Sequence, residues 1–371
     1  MKLIKTQDAV GKVLCHDITQ IIKDVRKGPV FKKGHIIREE DISVLLSCGK
    51  ENVYVLELGT DDEAEFGRGM VHENEAAEFL CSLSRGSGLG RGDVREGKIE
   101  LTAEYDGLLK IDEKGILAIN TAGEMMIASR HGNFPVRKGD RIAGMRIIPL
   151  VIAREKLTGV RDVILKLQKQ EGHTDPDRGD IPAPLFNILP FRPKRAAIIA
   201  TGSEIQKGLI EDTFTPVVEK KLSEYGNPVE TVYRSPPGDD HTAITAEIMK
   251  AVKEYDADIV LCTGGMSVDP DDRTPLAVRN TGASIVCYGA PVLPGAMFML
   301  GYLERDDRDG PVAVMGLPGC VMFHGRTIFD LVLPRIMADD PVSSADIERL
   351  GSGGLCLNCE VCTFPNCGFG K

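Results

Sequence analysis

The chain has 371 residues, 42% of them hydrophobic and 27% charged, so it can bury a sizeable core and is long enough for two or three domains. A formal charge of -10 supplies no general basic field; nonspecific nucleic-acid binding is not the default, and an anionic ligand would need local donors or a metal. No apolar stretch reaches the length of a secretory signal or a membrane span, since the richest, APVLPGAMFMLGYL, is broken by Pro294 and Gly295. A cytoplasmic protein with neither a nucleic-acid nor a membrane partner is expected, its ten cysteines serving as thiols or metal ligands rather than disulfides.

Residues 1–170 read as a mixed α+β N-terminal region. A helix is expected from Glu39 to Cys48, closed by Gly49, and then the strand NVYVLEL. A short helix follows over Asn74 to Leu83 and runs into SRGSGLGRGD, a loop whose glycines lack the G-x-G-x-x-G spacing of a dinucleotide site. The stretch 97–152 looks β-rich, with short apolar runs separated by Asp-Gly and Lys-Gly turns. Residues 171–194 form a Pro-rich linker, pinned by Leu185 to Phe191.

Beyond the linker, 195–338 alternates strand and helix. RAAIIAT is a continuous apolar strand ended by Gly202, as expected when both faces of a sheet are covered. A helix is expected from Pro216 to Tyr225 with Thr215 as its cap, then the strand VETVYR, a helix from Thr242 to Tyr255 and the strand ADIVLCT. Thr274-Pro275 opens another helix, followed by the strands SIVCYG and PVAVMG, the turn LPG and a last helix through Met337. The fold class is α/β, a three-layer, mostly parallel sheet preceded by the mixed, β-rich region.

Ligands of such sheets sit outside the carboxyl ends of the strands. Three strands end there in small-residue loops: Thr201, Gly202, Ser203 and Glu204 in ATGSE; Thr263, Gly264, Gly265 and Ser267 in CTGGMS; Gly316, Leu317, Pro318 and Gly319 in GLPG. Glycines let backbone amides approach an anion, and the helix opening at Thr274 adds a partial positive charge. Phosphate suits such a nest, and the carboxylates Asp239, Asp240, Asp271 and Asp272 beside it suit a bridging Mg²⁺. Each residue also has a plainer role open to it: Thr274 before Pro275 is a helix-start pair, and Asp239 or Asp240 is placed to cap the following helix. The seven histidines show no metal-ligand spacing.

The ordered strings TGSEI, Asp239-Asp240, TGGMSVDPDDRTP, LPGAMFMLG and GLPG make Arg195 to Met337 resemble the molybdopterin-binding domain shared by molybdopterin adenylyltransferases, molybdopterin molybdotransferases and gephyrin. The resemblance implies that molybdopterin or adenylyl-molybdopterin binds with its terminal phosphate on Thr263, Gly264, Gly265 and Ser267. Asp272 and Thr274 match the family's acidic and hydroxyl positions, and Asp239 matches the aspartate used with Mg²⁺ or nucleotide. Asp239 and Asp272 become the catalytic candidates, Ser203 and Glu204 flank the mouth, and Pro294-Gly295 and Leu317-Pro318 frame the pterin. The implied activity is a transferase step in molybdenum-cofactor assembly or insertion by a homo-oligomer, with a molybdoenzyme or another assembly protein as partner. Met266 and DPDDRTP depart from the molybdotransferase string, Cys320-Val321 replaces an expected Asn-Pro after GLPG, and residues 1–190 resemble parts of the larger enzyme without a DGYA-type signature. The string DPDDRT also resembles competence-damage-like nucleotide pyrophosphatases, which implies ADP-ribose hydrolysis with a metal on Asp271 and Asp272. A third reading is a non-enzymatic carrier of the cofactor.

Cys356, Cys359, Cys362 and Cys367 stand as C-x₂-C-x₂-C-x₄-C in the tail 351–371. Four thiolates so close suit zinc or an iron–sulfur cluster, and the glycines from Gly351 to Gly354 predict a flexible joint before them. The other six cysteines are isolated and read as small buried thiols.

Overall fold

The computed structural model describes residues 2–22, 26–56, 69–172, 179–225, 229–267, 273–305 and 310–371. The chain divides into two compact units, one of Met1–Thr102, Asp112–Arg130 and Arg141–Asn187, the other of Ala103–Ile111, His131–Asp140 and Ile188–Lys371. The second unit therefore recruits two excursions from the N-terminal half. Leu108 and Phe134 are buried in the same apolar cluster as Phe191 and the residues of the α/β sheet. Part of the stretch expected as linker is strand, Phe186–Pro190, and Leu185, Phe186, Ile188 and Phe191 are buried.

In the first unit, strands Lys2–Lys5, Asn52–Leu56 and Val13–Leu14 form an antiparallel sheet beside the helix Glu39–Ser47. Leu14, Ile18, Ile37, Leu45, Val53 and Val55 fill that small core. Asp41 starts the helix by accepting from the Arg38 amide at 2.8 Å and meets the His35 ring at 2.7 Å. Burial opposes its ionisation, yet the His35 and Arg38 hydrogen bonds hold its carboxyl below the usual range.

A second sheet has four strands, Met125–Ser129, Arg141–Ile147, Lys98–Ala103 and Leu89–Arg91; the first three lie in the stretch expected to be β-rich, whereas Leu89–Arg91 makes a strand of part of SRGSGLGRGD, which was expected to be loop. The β-rich stretch also holds a helix, Glu113–Thr121, where a Lys-Gly turn was expected. The cause is the Asp112 side chain, which accepts from the Gly115 amide at 2.8 Å and so caps a helix over the Lys-Gly pair. The long helix Arg154–Glu171 buries Leu157, Val160, Ile164 and Gln168 at helical spacing.

From Lys194 on, the elements of the second unit are β1 (Lys194–Thr201), α1 (Ser203–Gln206), α2 (Phe214–Ser223), β2 (Val229–Gly238), α3 (His241–Lys253), β3 (Ile259–Thr263), α4 (Thr274–Asn280), β4 (Ser284–Tyr288), β5 (Met299–Leu303), β6 (Val312–Leu317), α5 (Cys320–Phe323), α6 (Ile328–Met337) and α7 (Ser344–Arg349). The sheet order is β2-β1-β3-β6-β5-β4. Its strands are parallel except β5, which runs antiparallel to both neighbours. Alternation along β1 makes the layers. Ala196 and Ile198 pack with Phe214 and Val218 of α2 and Phe329 and Val332 of α6, while Ala197 and Ile199 pack with Ile244 and Ile248 of α3 and Ala277 and Val278 of α4.

Helix α2 starts two residues before the expected Pro216, because Asp212 Oδ1 accepts from the amides of Phe214 and Thr215 at 2.9 and 3.0 Å. Between α2 and α6 lies a buried ion pair. Lys221 Nζ sits 2.8 and 2.9 Å from the two Asp330 oxygens and donates to Gly325 O at 2.8 Å, while Asp330 accepts from the Thr327 amide at 2.8 Å. These bonds satisfy both charges where water is excluded and fix the chain entering α6.

Candidate functional site

The register of the sheet brings four strand ends into one row. Thr201 of β1 pairs with Gly238 of β2, Ala200 with Thr263 of β3, and Thr263 with Leu317 of β6. Because β5 runs the other way, its first residue, Met299, pairs with Gly316, so the loop carrying Pro294 and Gly295 enters the sheet at this same edge. The three loops singled out in the sequence are thus neighbours.

Three hydroxyl-bearing residues organise the centre. Thr201 and Thr274 are buried, Thr274 completely. The Thr201 hydroxyl donates to Thr263 O at 3.0 Å; the Thr274 hydroxyl donates to Gly264 O at 3.1 Å and lies 3.3 Å from Thr201 Oγ1. Thr274 is the first residue of α4 rather than its cap, and its amide donates to Gly265 O at 3.3 Å. Gly264 and Gly265 have φ of +90° and +58°; a Cβ on Gly264 would stand 2.8 Å from Thr201 O, and one on Gly265 2.5 Å from Thr274 Oγ1. Both conformation and space demand glycine here.

The flanking loops are held as tightly. The Ser203 amide donates to Asp239 Oδ2 at 2.9 Å, which joins the start of α1 to the end of β2. Asp240 takes the capping role open to it: its Oδ2 accepts from the Ala243 amide at 2.9 Å at the start of α3. Gly202 has φ of +130°, and Glu204 and Ser267 are exposed at the rim. Gly295 has φ of +132° and would bring a Cβ 2.8 Å from Ile328 Cβ, while Ile328 N donates to Pro294 O at 3.2 Å, so this turn is laid on the start of α6. Within GLPG, Leu317 and Pro318 are buried and a Cβ on Gly316 would meet Met266 Cε at 2.6 Å, whereas Gly319 faces open space. Asp271 and Asp272 lie outside the described residues, which otherwise hold no group of three or more potential metal ligands.

Three residues join the site that the sequence did not offer as site candidates. Gly238, with φ of +80°, would place a Cβ 2.5 Å from Gln206 Oε1; Gln206 itself donates to Pro237 O at 3.1 Å. Met266 is buried beneath Gly316. Only the tertiary contact exposes these roles; a turn signal at Pro237-Gly238 is the one hint in the sequence.

Among the described residues the four tail cysteines do not gather into a group of three or more potential metal ligands. Cys359 and Cys362 are exposed, Cys356 and Cys367 half-buried, and the last two pack against the α/β core. The joint, expected to be flexible, is hydrogen-bonded to the residues around it. Leu293 N donates to Gly354 O and Cys356 N to Leu293 O, both at 2.8 Å, and Gly370 N donates to Gly353 O at 2.9 Å. Gly354 has Pro291 O at 2.5 Å from its would-be Cβ. Its glycines permit close packing, and Phe369 is buried.

Residues 197–338 match the family described as a probable molybdopterin binding domain. That segment is of the molybdopterin-binding kind. Residues 3–57 match a domain of unknown function. The chain is 34% identical over 88 residues to a CinA-like protein of Thermosipho melanesiensis, covering 24% of this chain and 21% of that one. It is 33% identical over 122 residues to a probable FAD synthase of Caenorhabditis briggsae, covering 33% and 23%. Among solved structures it is similar to the tungsten cofactor synthesizing protein MoaB from Pyrococcus furiosus, with 19% identity, a TM-score of 0.33, and coverage of 40% of this chain and 98% of that one. The chain spans only about a fifth of the length of such CinA-like relatives. No helix among the described residues is long and apolar enough to cross a membrane.

Proposed function

We propose that this protein binds molybdopterin, or its adenylylated form, at the carboxyl edge of the sheet and acts in assembly or insertion of the molybdenum cofactor. The observation that carries this is the pair Gly264-Gly265, held at positive φ between Thr201 and Thr274 inside the segment that matches a molybdopterin binding domain. A terminal phosphate would rest on the backbone amides of this loop, where the absence of a Cβ permits close approach. Thr263, Ser267 and Thr274 would orient it, and Pro294-Gly295 with Leu317-Pro318 would frame the pterin.

Two of the four carboxylates are already engaged, Asp239 by the Ser203 amide and Asp240 by the Ala243 amide. A Mg²⁺ at this site fits the usual pattern of one or two carboxylates completed by phosphate oxygens and water. Asp239 with Asp272 would hold it, and the ion would neutralise charge as a pyrophosphate bond to AMP is made or broken. In that reading the protein is a transferase and Ser203 fixes the carboxylate of Asp239.

Anaerobic purification followed by fluorescence of released, oxidised pterin tests the reading. Pterin should accompany the wild type and be lost in Gly265→Val and Asp272→Ala. If no pterin is found and added molybdopterin does not bind, the reading falls. The likeness to a CinA-like protein over 88 residues favours one alternative, metal-dependent hydrolysis of ADP-ribose or a related dinucleotide, and release of AMP from ADP-ribose by the same preparation identifies it.

A further inference from the structure

The tail presents two thiols to solvent among exposed apolar side chains. Cys359 and Cys362 are exposed, and around them stand Leu355, Leu357 and Val361, the last two 78% and 76% exposed. Two contacts join further apolar side chains to this surface. Leu355 bridges to Leu293, itself 58% exposed. The Asn358 side chain lies 3.3 Å from His324 Nδ1, next to Phe323, which is 79% exposed. Five large apolar side chains gathered on one surface are far from the scattered exposure normal for a soluble protein.

We propose that Cys359 and Cys362 are half of a zinc site, completed by the same two cysteines of a second copy of this chain. Zinc in a structural site takes four ligands in a tetrahedron, and a C-x₂-C pair supplies two. The other two tail thiols are poorly placed to supply the rest. The Cys356 amide is bound to Leu293 O, and the side chains of Cys356 and Cys367 pack against the α/β core. Bringing them to Cys359 and Cys362 would unseat the segment that buries Phe369. A two-fold contact brings in two further thiolates of the same geometry and covers Leu355, Leu357, Val361 and Phe323 with their own counterparts. Glu360, exposed between the two cysteines, repels its counterpart unless a cation lies between the copies, so the contact depends on metal.

The test uses the full-length chain, stripped of metal by a chelator and kept in a phosphine reductant, then titrated with zinc. Light scattering gives the particle mass and elemental analysis the metal. Zinc should at least double the mass of the zinc-free particle at one ion per two chains. Cys359→Ser and Cys362→Ser should each abolish both effects, whereas Cys356→Ser and Cys367→Ser should keep both. Leu357→Asp with Val361→Asp should raise at least tenfold the protein concentration needed for zinc-linked association. One zinc per chain without a mass change, lost in any of the four cysteine variants, overturns the proposal in favour of a site within one chain. Iron–sulfur absorbance in anaerobically purified protein overturns it too, as does failure to bind zinc at micromolar concentrations.

Discussion

Replacing Gly265 by alanine tests whether the loop at the centre of the site is fixed by conformation and by contact at once. At φ of +58° a side chain costs about 1–2 kcal/mol in the left-handed region. The new methyl would also stand 2.5 Å from Thr274 Oγ1, and Thr274 is fully buried at the start of α4, so relieving the overlap costs about 1–3 kcal/mol more. The expected loss is about 2–4 kcal/mol after the smaller gain from a stiffer unfolded chain. Thr274→Ala alone should cost about 1–2 kcal/mol by removing the hydroxyl donated to Gly264 O at 3.1 Å. The two changes should not add. With Thr274 Oγ1 gone the closest overlap is relieved, while the backbone strain and a 3.2 Å approach to Thr201 Oγ1 remain, so the double variant should be about 1–2 kcal/mol more stable than the sum predicts. Urea unfolding of the full chain, followed by circular dichroism, measures all three. Gly319→Ala serves as the control, because Gly319 has φ of -53° and open space around it; its stability should stay within about 0.5 kcal/mol of wild type. Additivity of Gly265→Ala and Thr274→Ala to within about 0.5 kcal/mol would refute the argument from close approach.

Lys221→Met should destabilise the protein by about 3–5 kcal/mol, because Asp330, 2% exposed, loses the ammonium that meets both its oxygens; a loss below about 1 kcal/mol would show that Arg326, whose Nη1 lies 2.9 Å from Asp330 Oδ1, and the Thr327 amide suffice. Asp240→Ala should cost about 1 kcal/mol through loss of the cap on α3, while Asp240→Asn should be neutral in stability, so any fall in Mg²⁺-dependent ligand affinity in the Asn variant reports the carboxylate charge. His16 and His72 have their pKa values lowered below 6.5, chiefly by burial. The unfolded chain therefore takes up protons that the folded one refuses, and the stability they contribute is present above pH 6.5 and lost as pH falls through the folded values. The urea midpoint should drop between about pH 7.5 and 5.5, the span bracketing an ordinary histidine, less steeply in His16→Gln/His72→Gln; a flat or rising midpoint would contradict the assignment.

Much of the α/β unit was legible because its signals are local. The apolar run Ala196 to Ala200, the helix start at Thr274-Pro275 and the glycines after β1 and β3 belong to a sheet covered on both faces, and β1, β3 and α4 lie within a few residues of their expected bounds, whereas the single last helix expected through Met337 is two, Cys320–Phe323 and Ile328–Met337. Cys262 was read as a small buried thiol, and full burial in β3 raises its pKa to about 12, which keeps it neutral. Strand β5 was less visible: MLGYL follows Pro294 and Gly295 in one apolar run, and periodicity does not tell a buried strand from other apolar segments. The helix Glu113–Thr121 was hidden by a Lys-Gly pair that reads as a turn until the Asp112 cap is seen.

The sequence by itself determined which residues stand at strand ends, since hydrophobic periodicity and turn chemistry act over a few positions. It determined the glycine-rich loops and the resemblance to a molybdopterin-binding domain on the same grounds. Tertiary structure decided which of those loops meet, because the pairing of Thr201, Thr263 and Leu317 across three strands depends on register between distant segments. It alone assigned Asp239 to the Ser203 amide and Asp240 to a helix cap. It also packed the tail glycines closely, where composition suggested a flexible joint. A glycine's role is set by what lies where its side chain would be, and that neighbour, Lys371 for Gly353 or Thr274 for Gly265, is chosen by the fold.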